Sequence, residues 1–201
     1  KLTRDFERVQ ARLKAMPKAR TMAEIQKQAE ANSNPTANGK YSANVAYPSA
    51  RVRTYSGANW LRLNVPSNWR EFASDDSVQF APDGAFGSQG ITHGAMVGVN
   101  KSQNPNLNNS TQEYVNGVLQ ANAYLRQRGN YERTYVAGRQ GYSTVLAGRS
   151  PVTNRIEVVT VYTTQLRSGD LFYVITVVPE GDAGNYSTAF RNMLGSIRLS
   201  D

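Results

Sequence analysis

The segment RIEVVTVYTTQLRSGDLFYVITVV, residues 155–178, constrains the fold of this chain more than any other. Its two halves, 155–166 and 170–178, are rich in β-branched and aromatic residues and are apolar on both alternating faces for much of their length. Strands of that kind belong in the middle of a sheet that is covered on both sides. The Arg167-Ser168-Gly169-Asp170 connection between them is a hairpin signal, so they are expected to pair directly.

The rest of the chain supplies what such a sheet needs. Shorter strands are predicted at 51–55, 60–65 and 77–81, and another at 91–99, where Ile91, His93, Ala95, Val97 and Val99 alternate onto one face. TQEYVNGVLQANAYLRQRG places Tyr114, Val115, Val118, Leu119 and Leu125 on one face of a helix ending near Gly129. Two strands at 131–137 and 141–148 join around Gly138, and AGNYSTAFRNMLGSIRL, with Tyr186, Phe190, Met193, Leu194 and Ile197 at helical spacing, closes the domain. The expected class is α+β: a mostly antiparallel sheet with a central and a C-terminal helix packed on it.

Residues 1–50 read differently. Phe6, Val9, Leu13 and Met16 form a narrow helical stripe up to Pro17, and Thr21 with Glu24 makes a capping box for a second short helix through Ile25. Residues 32–50, rich in Asn, Ser, Ala, Pro and Gly, have linker composition. The division is therefore 1–50, a helical segment and linker, and 51–201, the α+β domain. The first residues lack the apolar core of a secretory signal, and no run approaches the roughly 20 apolar residues of a membrane helix. The chain opens on Lys1 rather than methionine, as a piece of a longer protein would, so an absent part could carry a signal or an anchor.

The net charge of +8 raises a nucleic-acid reading, but its distribution argues against one. Residues 1–30 hold eight basic and four acidic side chains, and the remaining basic residues are scattered singly among acids without a phosphate-binding stripe. The absence of cysteine excludes disulfides, thiolate nucleophiles and Cys-based zinc sites.

The run WLRLNVPSNWREF, in which Pro66 ends a strand and Trp69 provides a large apolar plug, is followed by VQFAPDG. This order resembles the PsbP-like fold, named for the extrinsic protein of photosystem II and shared with Mog-type Ran-binding proteins. The resemblance spans about residues 51–199 and implies the fold more than a function, because the fold hosts unrelated roles. A wider set, VPSNWREFAS, FAPDGAFG, ITHGAMVGV, EYVNGVLQ, SPVTNRIEVVTVYTTQLRSGDLFYVITVVPE and AFRNMLGSIRL, is similar to the domain C-terminal to the peptidase domain in some bacterial zinc metallopeptidases of the CAAX-prenyl-protease-like class. RVQARLKAMP is similar to the segment joining the two parts.

That resemblance implies a non-catalytic accessory domain of a bacterial protein in the periplasm or cell envelope. Its implied partners are the peptidase domain of the same polypeptide or protein substrates, without nucleic acid and without a membrane span in this chain. Zinc would belong to the parent, held by an HExxH helix that this sequence lacks, so neither cofactor nor metal ligand nor catalytic residue is assigned here. The alternative is a free-standing PsbP-like protein that binds a ligand or another protein without any protease partner.

His93, the single histidine, is the one candidate for chemistry. It shares a strand face with apolar residues, GSQG at 87–90 does not form a GxSxG elbow, and Asp75, Asp76 and Asp83 are turn residues by context. It is expected to be partly buried and hydrogen-bonded. The Asp75-Asp76 pair points in opposite directions on an extended chain, and APDGAFGSQG lacks the residues of a phosphate loop and reads as a flexible loop. A candidate partner surface is drawn from Phe86 in that loop, His93 and Tyr142.

Overall fold

The structure, a computed structural model, describes residues 41–201, so the helices and the part of the linker expected before residue 41 lie outside the described residues. A first hairpin joins β1 (Val52–Gly57) to β2 (Leu61–Pro66) through Ala58 and Asn59, both left-handed. After Pro66 the chain turns into β3 (Trp69–Ala73), then β4 (Ser77–Pro82), the two-residue strands β5 (Phe86–Gly87) and β6 (Gly90–Ile91), and β7 (Gly94–Asn100). Helix α1 (Leu107–Ala121) leads to β8 (Arg126–Gln127), β9 (Glu132–Val136), β10 (Arg139–Arg149), β11 (Ile156–Gln165) and β12 (Leu171–Pro179). A 3-10 turn, Glu180–Asp182, precedes α2 (Ala183–Ser196) and β13 (Arg198–Leu199).

All strand pairs are antiparallel. The large sheet runs β3-β4-β7-β12-β11-β10-β8, with β9 also on β10, and a small sheet runs β1-β2-β13. One face of the large sheet carries α2 and the small sheet around Trp69, Phe80, Phe172, Val174 and Tyr186; the other carries α1 around Val115, Leu146, Val159 and Ile175. This is the expected α+β arrangement. β12 is buried at every residue, as a doubly apolar central strand should be, while its hairpin partner β11 is fully covered on the α1 side and, except for the buried Thr164, half-buried on the other.

Three element readings change. α1 starts at Leu107, where the Asn106 side chain caps the Asn109 amide, and stops at Ala121, where the Asn122 amide and side chain both bond to the Val118 carbonyl. Leu125 is buried in the same cluster although it lies beyond the helix, and Arg126–Gln127 pairs with β10 instead of extending the helix to Gly129. The strand expected over 91–99 is interrupted at Thr92 and His93, and β7 begins at Gly94, whose φ of +135° and contact with the Phe80 carbonyl leave no space for a Cβ. The closing helix ends at Ser196, and Arg198–Leu199 pairs with β2.

Residues 41–50 have no regular secondary structure, yet they are tied to the domain. The Tyr41 hydroxyl donates to the Gly90 carbonyl (2.8 Å), the Ser42 amide to Gly84 (2.8 Å), and the Tyr186 hydroxyl to the Ala46 carbonyl (3.2 Å).

Candidate functional site

Loops at one end of the large sheet bring polar side chains together, from the buried Thr92 and His93 outward to the half-buried Asp182 and the exposed Arg155. Ending β12 at Pro179 and starting α2 at Ala183 sets Asp182 beside His93, which immediately precedes β7. His93 Nε2 lies 3.2 Å from Asp182 Oδ2, and Nδ1 lies 2.9 Å from the Thr92 hydroxyl. The same Asp182 oxygen accepts from Arg155 Nη1 at 2.9 Å. Thr92 and His93 are 3% and 5% exposed, and the imidazole packs against the Tyr186 ring with centroids 5.5 Å apart.

Burial lowers the His93 pKa against the opposing pull of Asp182. The neutral ring satisfies the network when Nε2–H donates to Asp182 and the Thr92 hydroxyl donates to Nδ1. Asp182 is held below the usual carboxylate range, first by Arg155 and then by His93. Tyr186, buried beside them, is pushed up to about 12.

This is a hydroxyl–imidazole–carboxylate chain, the connectivity of a hydrolytic triad. An orienting acid is present after all, contributed by Asp182 and not by Asp75, Asp76 or Asp83. The difference from a triad is access. A nucleophilic hydroxyl has to meet substrate, whereas the Thr92 hydroxyl is enclosed and its second contact, at 3.4 Å, is the Ala85 carbonyl. Two surface concavities, a shallow one of about 290 Å³ beside Arg126 and Ile156 and one of about 460 Å³ beside Asn64 and Asn192, are not lined by any of these residues. The array fastens the start of β7 to the β12–α2 turn.

A buried acid, Glu157 at the start of β11, accepts from the Tyr124 hydroxyl at 2.6 Å, and burial raises its pKa. Burial also drives the Tyr124 phenol far above its ordinary range. Among the described residues, no three His, Asp or Glu side chains gather closely enough to hold a metal ion.

The residues drawn as a partner surface do not come together. His93 is buried. Phe86 is half-buried and stacked on Phe72 with centroids 3.8 Å apart. Tyr142 is half-buried on β10 opposite Thr163 of β11, three strands from β7 and several residues along the register from His93. APDGAFGSQG is not a loose loop: it contains the β5–β6 hairpin, clasped by Tyr41, whose hydroxyl also accepts from the Gln89 amide at 2.9 Å. Asp75 and Asp76 sit in the β3–β4 turn, where the Asp76 carbonyl accepts from Val99. Asp182 was not visible as the partner of His93, since residues 89 positions apart meet only through the sheet order, whereas Thr92 is its neighbour in sequence and gave no distinguishing signal.

An α+β sheet of this order, with its small sheet and two helices, is a PsbP/Mog-like fold. No protein-family model matches the sequence, and no curated protein matches it. Solved structures are similar in fold. Cyanobacterial PsbP (CyanoP) from Synechocystis is 12% identical with a TM-score of 0.53, covering 81% of this chain and 98% of that one. The Saccharomyces cerevisiae Ran-binding protein Mog1p is 11% identical with a TM-score of 0.52, covering 75% and 96%. LpqN of Mycobacterium tuberculosis, described as involved in cell envelope biogenesis, is 10% identical with a TM-score of 0.50, covering 92% and 100%.

Proposed function

We propose that this chain is a non-catalytic binding module, and that it serves as the accessory domain of a bacterial envelope zinc metallopeptidase, orienting the peptidase domain or presenting protein substrates to it. The observation that carries the non-catalytic part is the enclosure of His93: its two nitrogens are committed to Thr92 and Asp182, and neither is open to a substrate. A fold shared with a Ran-binding protein supports a binding role, and one shared with an envelope-biogenesis protein supports an envelope setting. No helix among the described residues is long and apolar enough to cross a membrane, so any anchoring by helix falls to another part of the polypeptide. Zinc and the HExxH helix belong to the parent in this reading, and the binding module takes in residues 41–50, which Tyr41, Ser42 and Ala46 tie to the rest of the domain.

The test is to read and express the coding sequence upstream of Lys1. It is expected to encode HExxH, and removing residues 51–201 from that polypeptide is expected to spare cleavage of a short peptide while reducing cleavage of whole proteins. A secretory signal placed directly before Lys1, with no HExxH, would overturn the peptidase part and leave a free-standing binding protein.

A further inference from the structure

Of the two surface concavities, the one at the β8 end of the large sheet is lined by charged side chains, Arg126 and Arg128, and the other is not. Their placement follows from the ladder. Arg126 pairs with Ala147, and the Arg128 amide bonds to the Val145 carbonyl, so the two arginines are two residues apart on extended chain and face the same way. Gln127, between them, faces the α1 side, where its side-chain amide donates to the hydroxyl of the buried Thr144 at 2.9 Å. Arg126 and Arg128 therefore stand on the opposite face of the sheet, where Ala147 of β10 and Ile156 of β11 supply the apolar part of the same concavity, of about 290 Å³.

Each guanidinium group is held by one nitrogen. Arg126 Nη1 donates to the carbonyls of Ala123 (2.6 Å) and Leu125 (2.8 Å), and Arg128 Nη1 donates to the Glu180 carboxylate (2.7 Å). Among the described residues nothing accepts from Nε or Nη2 of either side chain, and no acid pairs with Arg126. A tethered planar fork has its remaining donors already oriented, so less freedom is lost when they bond to a carboxylate. Other arginines do not combine these features. Arg53, Arg70, Arg139 and Arg155 are each paired with an acid, and arginines without one, such as Arg62 and Arg198, line neither concavity.

From this we infer that the Arg126–Arg128 concavity is a docking site for an acidic peptide segment of a partner protein. Arg126, assisted by Arg128, takes a carboxylate side chain of the segment, and an apolar neighbour of that side chain covers Ala147 and Ile156. Charge selects the occupant, because an oriented cation without an acid of its own favours an anion. Glu180 selects its size: by partly neutralising Arg128 it leaves a site for an isolated carboxylate and disfavours nucleic acid, whose closely spaced phosphates need a row of cations. The inference rests on the binding-module reading and is independent of whether the partner is a peptidase.

NMR titration of the full, isotope-labelled chain at low ionic strength tests it, with two end-capped pentapeptides as probes, Val-Glu-Val-Glu-Val and Val-Gln-Val-Gln-Val. The glutamate peptide shifts the Nε–H signals of Arg126 and Arg128 and the amides of Ala147, Gly148 and Ile156, and the glutamine peptide binds several-fold more weakly. Arg126→Gln weakens the glutamate peptide several-fold, and Arg126→Lys weakens it less. Arg128→Gln, which leaves the Ala123 and Leu125 contacts of Arg126 in place, weakens it as well. Arg62→Gln, which removes the same charge from the small sheet, leaves it unchanged. No binding, or equal binding of the two peptides, overturns the assignment. Equal losses for Arg62→Gln and Arg126→Gln also overturn it, since net charge alone is then the attraction. Tighter binding at these residues by a single-stranded oligonucleotide of the same charge, or equal binding by free glutarate, overturns the peptide as occupant. Binding of the glutamate peptide elsewhere on the domain sinks the Arg126–Arg128 assignment while leaving the binding-module reading in place.

Discussion

Replacing Trp69 with alanine should cost this domain much of its stability. Trp69 opens β3 just past the Val65–Pro66 corner, is 1% exposed, and lies between Tyr186 (6.3 Å) and Phe190 (6.0 Å) where α2 meets the sheets. An indole buries about 150–250 Å², which at about 25 cal/mol per Å² is about 4–6 kcal/mol of transfer free energy. Part of that is offset, because Nε1–H is buried with no hydrogen-bond partner among the described residues, a defect costing about 1–3 kcal/mol. The balance, about 1–5 kcal/mol for Trp69→Ala, overlaps in its upper part the ~3–5 kcal/mol of large-to-small changes in other cores and is a sizeable share of the ~5–15 kcal/mol of an ordinary domain. Trp69→Phe discards the unpaired N–H together with one ring, so its loss should fall well below that of alanine. Urea unfolding followed by far-UV circular dichroism reads both variants, with m unchanged. A loss under about 1 kcal/mol for Trp69→Ala would place the ring outside the core and refute the packing argument.

Burial holds the folded-state His93 pKa below 6.5, so this group's contribution is complete above that pH and is lost as pH falls through it, when the unfolded chain takes up the proton first. His93→Gln should therefore flatten the decline of unfolding free energy between about pH 7 and 5; equal slopes in the two proteins would contradict this. Glu157, with its pKa raised above 4.5 by burial, acts in the opposite sense, strengthening the fold as pH falls toward that value, so the comparison has to be made between the two proteins. Gly94→Ala forces a Cβ onto the Phe80 carbonyl at a positive φ and should cost about 2 kcal/mol or more; an unchanged melting temperature would refute it. A chain starting at residue 51 should melt below one starting at 41, because it lacks the Tyr41 clasp and the Ala46 and Tyr47 contacts with Tyr186. Equal melting temperatures would show that those contacts contribute nothing.

The sequence made the centre of the fold readable and its joints hard to read. β12 and its hairpin to β11 were legible because a strand apolar on both faces has one stable place. Trp69 was legible as a plug, but β3 was not recognised as a strand, since an outer strand of alternating half-buried and exposed residues has little apolar signal. Leu125 falls at helical spacing after Val118 and drew the helix too far; burial in the same cluster, reached by a turn, mimics the periodicity. The buried state of His93 could be read from its apolar strand neighbours. Its partners could not, because the Asp182 contact depends on β7 and β12 being adjacent in the sheet, which no local pattern encodes.

The central claim, that the chain binds and does no chemistry, is tested most directly by assaying casein hydrolysis by the wild type and by His93→Gln, each supplied with zinc and verified as folded. The enclosed Thr92–His93–Asp182 chain predicts no hydrolysis above background in either protein. Hydrolysis by the wild type that disappears in folded His93→Gln would contradict it and make His93 a catalytic residue.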